Sequence, residues 1–219
     1  MIERLHYITQ ETKTLTHLEA VKKACVAGVK WIQLRVKDKS EEDYLILAKE
    51  AKVICDFYDV KLIINDNVNV ALLVNAYGIH LGKSDMNPKE ARKIIGKKII
   101  IGGTANTIED VKNLIASDVD YIGLGPFQLT STKKNLSPVL GLEGYHAIVQ
   151  QLVELQKNST STIKIPLVIA VGGIKTEHVK DLMKTGIYGI AISEELTNDF
   201  SKTSLLIDLI EKKQNLCYK

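Results

Sequence analysis

Three polar side chains alternate with apolar ones between positions 33 and 37. Gln33, Arg35 and Lys37 are separated by Leu34 and Val36, so in an extended strand all three polar side chains point the same way. Arginine and lysine held side by side repel unless an anion lies between them, and a planar guanidinium suits two-point contact with a phosphate. The pattern predicts a phosphate site at a strand end, with a solvated strand end as the alternative.

Two aspartates follow successive apolar runs further along the chain. Asp66 comes directly after one run and Asp85 four residues after the next. Neighbouring strands lie less than about 5 Å apart, so the two carboxylates can approach one cation, and hard oxygen ligands suit Mg²⁺. The alternative for Asp85 is helix capping, because Asn87-Pro88 follows and is typical of a helix start.

The segment GLGPFQLTSTKKN, residues 123–135, is rich in glycine, hydroxyl and lysine residues. It matches neither a P-loop nor a dinucleotide-binding glycine pattern. The hydroxyls of Thr130, Ser131 and Thr132 can donate to phosphate oxygens, and Lys133 adds a mobile cation. We expect a flap over an anionic ligand, with a merely solvated loop as the alternative.

Eight short apolar runs alternate with longer amphipathic stretches, of which 17–27, 41–58, 108–116 and 177–184 are examples. The runs cover residues 5–9, 31–34, 62–65, 78–81, 99–102, 121–125, 167–171 and 189–192. The alternation favours one (β/α)8 TIM barrel over residues 1–219, ahead of an open doubly wound sheet. In both folds ligands bind beyond the carboxyl ends of the strands, where all these polar segments fall. Gly172-Gly173 also lies there, and it suits either anion binding or tight packing.

The composition and net charge of the chain exclude some classes of function. The 219 residues are 45% hydrophobic and 25% charged, and 29 basic against 26 acidic residues give a net charge of only +3. The basic residues are not clustered, so we expect no nucleic-acid partner, and no apolar run is long enough to span a bilayer. The charged amino terminus does not resemble a signal peptide, and three cysteines without CxxC spacing are typical of reduced structural thiols. We therefore expect a cytoplasmic protein that binds small phosphorylated molecules, with homo-oligomerisation left open.

Five motifs in register across nearly the whole chain together resemble the thiamine phosphate synthase family. They are Gln33-Leu34-Arg35-Val36-Lys37, Asn65-Asp66, Gly78-Ile79-His80-Leu81-Gly82 with Asp85, Gly123-Leu124-Gly125-Pro126 with Thr130-Ser131-Thr132-Lys133, and Gly172-Gly173-Ile174. The resemblance implies a (β/α)8 barrel that joins hydroxymethylpyrimidine pyrophosphate to hydroxyethylthiazole phosphate, with Mg²⁺ as cofactor.

The resemblance also implies roles for individual residues. Magnesium would bind Asp66 and Asp85, while Arg35, Lys37 and Lys133 would assist the departure of pyrophosphate. Contacts to the pyrimidine substrate would come from Gln33, Leu34, Arg35, Val36, Lys37, Asn65, Thr104 and Lys133. Contacts to the thiazole phosphate would come from Thr130, Ser131, Thr132, Gly173, Ser193 and Glu194.

Three positions depart from the family pattern. Thr104 stands where serine is usual, and Asn106 stands where histidine is common nearby. Glu194-Glu195 replaces Ser-Ala after the eighth strand, and a carboxylate beside a phosphate repels it. We expect both glutamates to point outward, with the phosphate contacts made by backbone amides alone.

Two other functions stay open from the sequence. A thiazole tautomerase-like relative would share the fold, although Asn106 replaces the histidine usual in that relative. A noncatalytic barrel that binds a phosphorylated ligand would not need the metal pair and both cations. His80 lies within an apolar run, so we expect it to make a structural hydrogen bond.

Overall fold

Eight parallel strands close into a barrel in chain order, with β8 pairing to β1. A computed structural model of the protein describes residues 1–129, 138–158 and 164–211. The strands are β1 (Leu5–Ile8), β2 (Trp31–Leu34), β3 (Lys61–Asn65), β4 (Gly78–Leu81), β5 (Ile100–Ala105), β6 (Tyr121–Leu124), β7 (Leu167–Val171) and β8 (Gly189–Ile192). The closed barrel confirms the predicted fold class and excludes the open sheet.

Helices alternate with the strands around the outside of the barrel. Those in the described residues are α1 (His17–Val26), α2 (Glu41–Phe57), α3 (Val68–Leu73), α4 (Pro88–Ile95), α5 (Ile108–Ile115), α6 (Gly141–Asn158), α7 (Thr176–Lys184), α8 (Glu194–Asn198) and α9 (Thr203–Glu211). The side chains of Thr16, Ser40 and Thr107 accept hydrogen bonds from backbone amides in the first turns of α1, α2 and α5. Each of these caps ends a loop that leaves the carboxyl end of a strand.

One strand differs clearly from its predicted bounds. The run at 99–102 was expected to end at its first glycine, but β5 continues through both glycines to Ala105. A Cβ atom on Gly102 would lie 2.0 Å from the ring of Tyr121, so the glycine makes room for an aromatic side chain inside the barrel. The extension places Thr104 within the strand.

The interior of the barrel is filled with side chains away from the carboxyl ends of the strands. Trp31, Ile63, Tyr121, Ile169 and Ala191 form a buried cluster there, separate from the larger core between strands and helices. His6 stacks on Trp31 with ring centroids 3.6 Å apart. This packing makes the carboxyl end of the strands the expected ligand-binding end, as in other barrels of this class.

The cysteine prediction is confirmed where it can be checked. Cys25 and Cys55 are buried free thiols that form no disulfide, and Cys217 lies outside the described residues. Within the described ranges, none of the helices has the length and apolarity needed to cross a membrane.

Candidate active site

A tyrosine from α2 fixes the carboxyl ends of β2 and β3. The buried Tyr44 hydroxyl donates to the carbonyl of Leu34 at 2.7 Å and accepts from the amide of Asn65 at 3.0 Å. In the sequence, Tyr44 is only one apolar-face residue of the amphipathic stretch 41–58. A buried tyrosine hydroxyl needs a polar partner, and this need is the feature that could have indicated its role.

Gln33 and Asn65 form a buried amide pair at this end of the barrel. Gln33 Nε2 donates to Asn65 Oδ1 at 2.6 Å, and the two residues are only 2% and 5% exposed. Within the described residues, Asn65 Nδ2 is buried with no hydrogen-bond partner. A buried donor without an acceptor costs free energy, so this amide is suited to a ligand acceptor.

The alternation of polar and apolar side chains continues past the end of β2. Leu34 and Val36 are buried in the outer core, whereas Arg35 is half-buried and Lys37 is exposed. Leu34 and Val36 can therefore contact a ligand only through backbone atoms. Arg35 and Lys37 are the two cations of this segment.

Arg35 is a half-buried cation that follows β2. Within the part of the chain that the structure describes, its guanidinium has no hydrogen bond or salt bridge. Burial lowers the pKa of Arg35, and the nearby charge of Asp66 opposes this shift. A guanidinium held this way at the barrel mouth favours an anionic ligand.

The two aspartates meet, as the sequence predicted. Asp66 follows β3 in a left-handed conformation (φ 64°), and its amide donates to the carbonyl of His80 at 2.9 Å. Asp85 returns toward it through a turn in which the amide of Gly82 donates to Asp85 Oδ2 at 2.6 Å. The two carboxyl groups are close enough to share a hydrogen bond when one of them is protonated. Aspartate and asparagine are among the non-glycine residues most often found in the left-handed region.

Neither aspartate caps a helix. Asn67 Oδ1 accepts from Val70 at the start of α3, and Asn87 Oδ1 accepts from Lys89 at the start of α4. The capping alternative for Asp85 is therefore wrong, since Asn87 fills that role.

The carboxyl pair has unequal proton affinities. Burial and the hydrogen bond to Asp66 raise the pKa of Asp85 to about 6. Burial acts in the same direction on Asp66, but hydrogen bonds with Asp85 and Lys37 overcome it and lower the pKa of Asp66. Lys37 Nζ forms an ion pair with Asp66 Oδ2.

The donor set fits a magnesium ion. Two carboxyl groups from adjacent strand ends converge, and the described residues contain no cluster of three or more His, Cys, Asp or Glu side chains suited to a metal. Mg²⁺ commonly takes one or two carboxylates and completes its octahedron with water and substrate phosphates. A two-carboxylate site with Arg35 and Lys37 nearby matches that preference.

A histidine relay fixes Thr104. His80 Nε2 lies 2.9 Å from Thr104 Oγ1, and His80 Nδ1 lies 3.1 Å from the hydroxyl of Tyr121. The expectation of a structural hydrogen bond for His80 is confirmed. Asn106 donates through Nδ2 to the carbonyl of Gly125, which ties the end of β5 to the end of β6.

The second side of the mouth is formed by the loops that follow β6, β7 and β8, whereas the first side is formed by those that follow β2, β3 and β4. Thr130, Ser131, Thr132 and Lys133 lie outside the described residues. Gly173 has φ 68°, and a Cβ atom there would lie 2.8 Å from the carbonyl oxygen of Leu129. The double glycine thus allows the loop after β7 to approach the loop after β6 closely.

The expectation for the two glutamates after β8 is half wrong. Glu194 is exposed, as expected, but Glu195 Oε1 accepts from Thr176 Oγ1 at 2.8 Å and from Lys202 Nζ at 2.9 Å. Burial favours the neutral form of Glu195, but the hydrogen bonds from Lys202 and Thr176 lower its pKa. Ser193 Oγ donates to Gln10 Oε1 at 3.2 Å. Glu195, in α8, is therefore an ionised carboxylate that contacts the start of α7 and whose charge Lys202 compensates.

Fold and site together define a TIM barrel whose mouth combines a carboxylate pair with cations suited to phosphate. The sequence profile of the family described as thiamine monophosphate synthase matches residues 5–196. The thiamine-phosphate synthase of Flavobacterium psychrophilum is 49% identical over 97% of this chain and 100% of its own length. That of Bacteroides fragilis is 47% identical over 86% of this chain and 89% of its own.

Comparison with a solved structure indicates the same family. Thiamine phosphate pyrophosphorylase from Pyrococcus furiosus superposes with a TM-score of 0.78 at 28% identity, covering 95% of this chain and 96% of that one. The chain belongs to the thiamine monophosphate synthase family. Membership confirms the resemblance drawn from the five motifs and makes the protein a transferase of thiamine biosynthesis that acts on small phosphorylated substrates.

Proposed function

We propose that this protein condenses 4-amino-2-methyl-5-hydroxymethylpyrimidine pyrophosphate with hydroxyethylthiazole phosphate, giving thiamine phosphate and pyrophosphate. The observation that supports it most strongly is the meeting of Arg35, Lys37, Asp66 and Asp85 at the carboxyl ends of β2 to β4. These residues suit a diphosphate held together with a divalent cation. Both substrates are charged phosphate esters, which agrees with the expected cytoplasmic location.

The reaction needs one bond to break and one to form. The C–O bond to the diphosphate breaks and its electron pair leaves with pyrophosphate, which produces a pyrimidinylmethyl cation. The thiazole nitrogen then donates its lone pair to that carbon and forms the C–N bond. No proton is removed from carbon, so the site needs charge stabilisation more than a strong base.

Negative charge grows on the departing diphosphate, and Arg35, Lys37 and Lys133 are placed in contact with it in this proposal. Asp66 and Asp85 would hold Mg²⁺, which supplies further charge neutralisation for the leaving group when bound. A unit charge pair at 4 Å contributes on the order of 4 kcal/mol at an effective dielectric near 20. Charged side chains should therefore affect the rate more than hydroxyls.

Neutral groups orient the pyrimidine substrate. Asn65 Nδ2, which Gln33 holds in place through Oδ1, would donate to the ligand. When Tyr121 donates to His80 Nδ1, His80 Nε2–H donates to Thr104 and leaves the threonine hydroxyl proton free for a substrate oxygen. Leu34 and Val36 would contribute backbone atoms only.

The thiazole phosphate would bind on the opposite side of the mouth. Thr130, Ser131 and Thr132 would donate hydroxyl protons, while Gly173, Ser193 and Glu194 would offer backbone amides. The exposure of Glu194 and the neutralisation of Glu195 support this arrangement, because they reduce repulsion between carboxylate and phosphate.

Incubation of the protein with both phosphorylated substrates and Mg²⁺ tests the proposal. We expect thiamine phosphate and pyrophosphate in equal amounts by liquid chromatography, and no product when either substrate is omitted or EDTA is added. An Asp66→Asn, Asp85→Asn double variant with an unchanged circular dichroism spectrum is the matched inactive control.

The alternatives give different outcomes in the same assay. A thiazole tautomerase-like relative would convert its thiazole substrate without the pyrimidine, and a noncatalytic barrel would bind ligands without product. Absence of thiamine phosphate from the folded protein with both substrates and Mg²⁺ would refute the proposed function.

A further inference from the structure

The metal-binding aspartate already has a cationic partner within the protein. Lys37 Nζ forms an ion pair with Asp66 Oδ2, and the Asp85 carboxyl group lies beside the same aspartate. The lysine side chain is 48% exposed and the Asp66 side chain 26% exposed. The ammonium of Lys37 and the proposed divalent cation would therefore both contact the same carboxylate, that of Asp66.

An ammonium and a metal ion bound to the same carboxylate would repel each other. Lys37 is in contact with Asp66, and Arg35 adds a second positive charge nearby. A bound metal and a paired Lys37 are therefore mutually unfavourable. One of them must weaken its contact with Asp66 when the other binds.

Lys37 can move away at low cost, whereas Asp66 cannot. The lysine has a flexible four-carbon stem at an exposed position. Asp66 is fixed by the contact of its amide with the carbonyl of His80 and by its neighbour Asn65, which Tyr44 holds. A diphosphate group would give the released ammonium a new anionic partner.

We propose that Lys37 competes with the divalent cation for Asp66, and that a diphosphate group relieves this competition by drawing the ammonium away. This inference rests on the ligand set of the proposed function. It makes the metal and the diphosphate bind cooperatively, because each favours the state in which Lys37 no longer pairs with Asp66. Linkage requires the effect to be equal in both directions.

Metal binding without substrate provides the test, with Mn²⁺ as the probe and the free ion measured by electron paramagnetic resonance. We expect Lys37→Met to bind Mn²⁺ at least about fivefold more tightly than the unaltered protein, although it loses turnover. Lys39→Met removes a charge from an exposed position two residues away and should leave the Mn²⁺ affinity unchanged. Equal or weaker Mn²⁺ binding by Lys37→Met would overturn the competition.

Cooperativity is measured with inorganic pyrophosphate as the second probe. In the unaltered protein, saturating Mg²⁺ should lower the pyrophosphate dissociation constant by a larger factor than in Lys37→Met, by isothermal titration corrected for the complex in solution. An equal factor in both proteins would contradict the inference. Retention of tight Mn²⁺ binding in a Lys37→Met, Asp66→Asn double variant would also contradict it, since the metal would then lie elsewhere.

Failure of the proposed function gives a different result. It would appear as the absence of thiamine phosphate from the unaltered protein, whereas the competition is measured by Mn²⁺ affinity without any turnover.

Discussion

The two sides of the barrel mouth differ in how their polar groups are satisfied. Beside β2 to β4, within the described residues, the Arg35 guanidinium and Asn65 Nδ2 have no hydrogen-bond partner, and two carboxyl groups share one place. Beside β7 and β8, Glu195 is paired with Thr176 and Lys202. On the first side, polar groups remain available to a ligand. On the second side, the charged group already has partners within the protein.

This contrast explains where the demanding part of the reaction belongs. In the proposed function, pyrophosphate departs beside Arg35 and Lys37, where preorganised charge would lower the barrier most. The phosphate group of the thiazole substrate keeps its charge during the reaction, so backbone amides and hydroxyls are enough to hold it. Substitutions should therefore affect turnover on the first side and binding or stability on the second.

The largest effect should come from the carboxyl pair. We expect Asp66→Asn and Asp85→Asn each to lower kcat by on the order of 10²–10³-fold, because charge stabilisation of the leaving group is lost. Steady-state kinetics at saturating Mg²⁺ measures it. Asp59→Asn, at an exposed position just before β3, is the control and should retain full activity. Full activity in either site variant would remove that residue from the metal role.

Arg35 should have the next largest effect. Arg35→Met should lower kcat/KM for the pyrimidine substrate by on the order of 10²-fold, and Arg35→Lys should recover part of the loss, because it restores charge without the two-point geometry. The KM for thiazole phosphate should hardly change. An equal rise in both KM values would show that the two sides of the mouth are not separate.

The pH dependence of metal binding tests the raised pKa of Asp85, about 6. Below that pH the carboxyl is protonated, and a metal must displace the proton. The affinity for Mn²⁺ should therefore fall as pH decreases through 6, approaching about tenfold per unit well below it. The same titration on Asp85→Asn should lose this dependence. A flat profile between pH 5 and 8 in the unaltered protein would contradict the assignment.

The smallest effects are expected on the second side. Glu195→Gln loses a charged contact with Lys202 and should lower Tm by about 2–4 °C, as expected for a loss near 1 kcal/mol. Glu194→Ser changes an exposed side chain, so Tm should stay constant and the KM for thiazole phosphate should be equal or lower. Thermal denaturation and initial rates provide both measurements. A large activity loss in Glu194→Ser would reveal a positive role for that carboxylate.

Sequence patterns located most of the candidate site because its residues lie at strand ends. Apolar runs separated by amphipathic stretches are local features, so the bounds of β2, β4, β7 and β8 were predicted to the residue. Asp66 and Asp85 could be paired because parallel neighbours place their carboxyl ends together. Tyr44 was missed as a functional group, since the amphipathic pattern marks its ring as apolar and does not indicate where its hydroxyl points.

The order of short apolar runs and the polar residues after them determined the barrel and the position of its mouth, because periodicity along the chain decides which faces are buried. The tertiary structure alone decided which oppositely charged side chains form pairs. Lys37 pairs with Asp66, 29 positions away, and Glu195 turns onto Thr176 and Lys202 instead of pointing outward. Such pairings depend on distances between separate loops, and these distances exist only once the strands are in register.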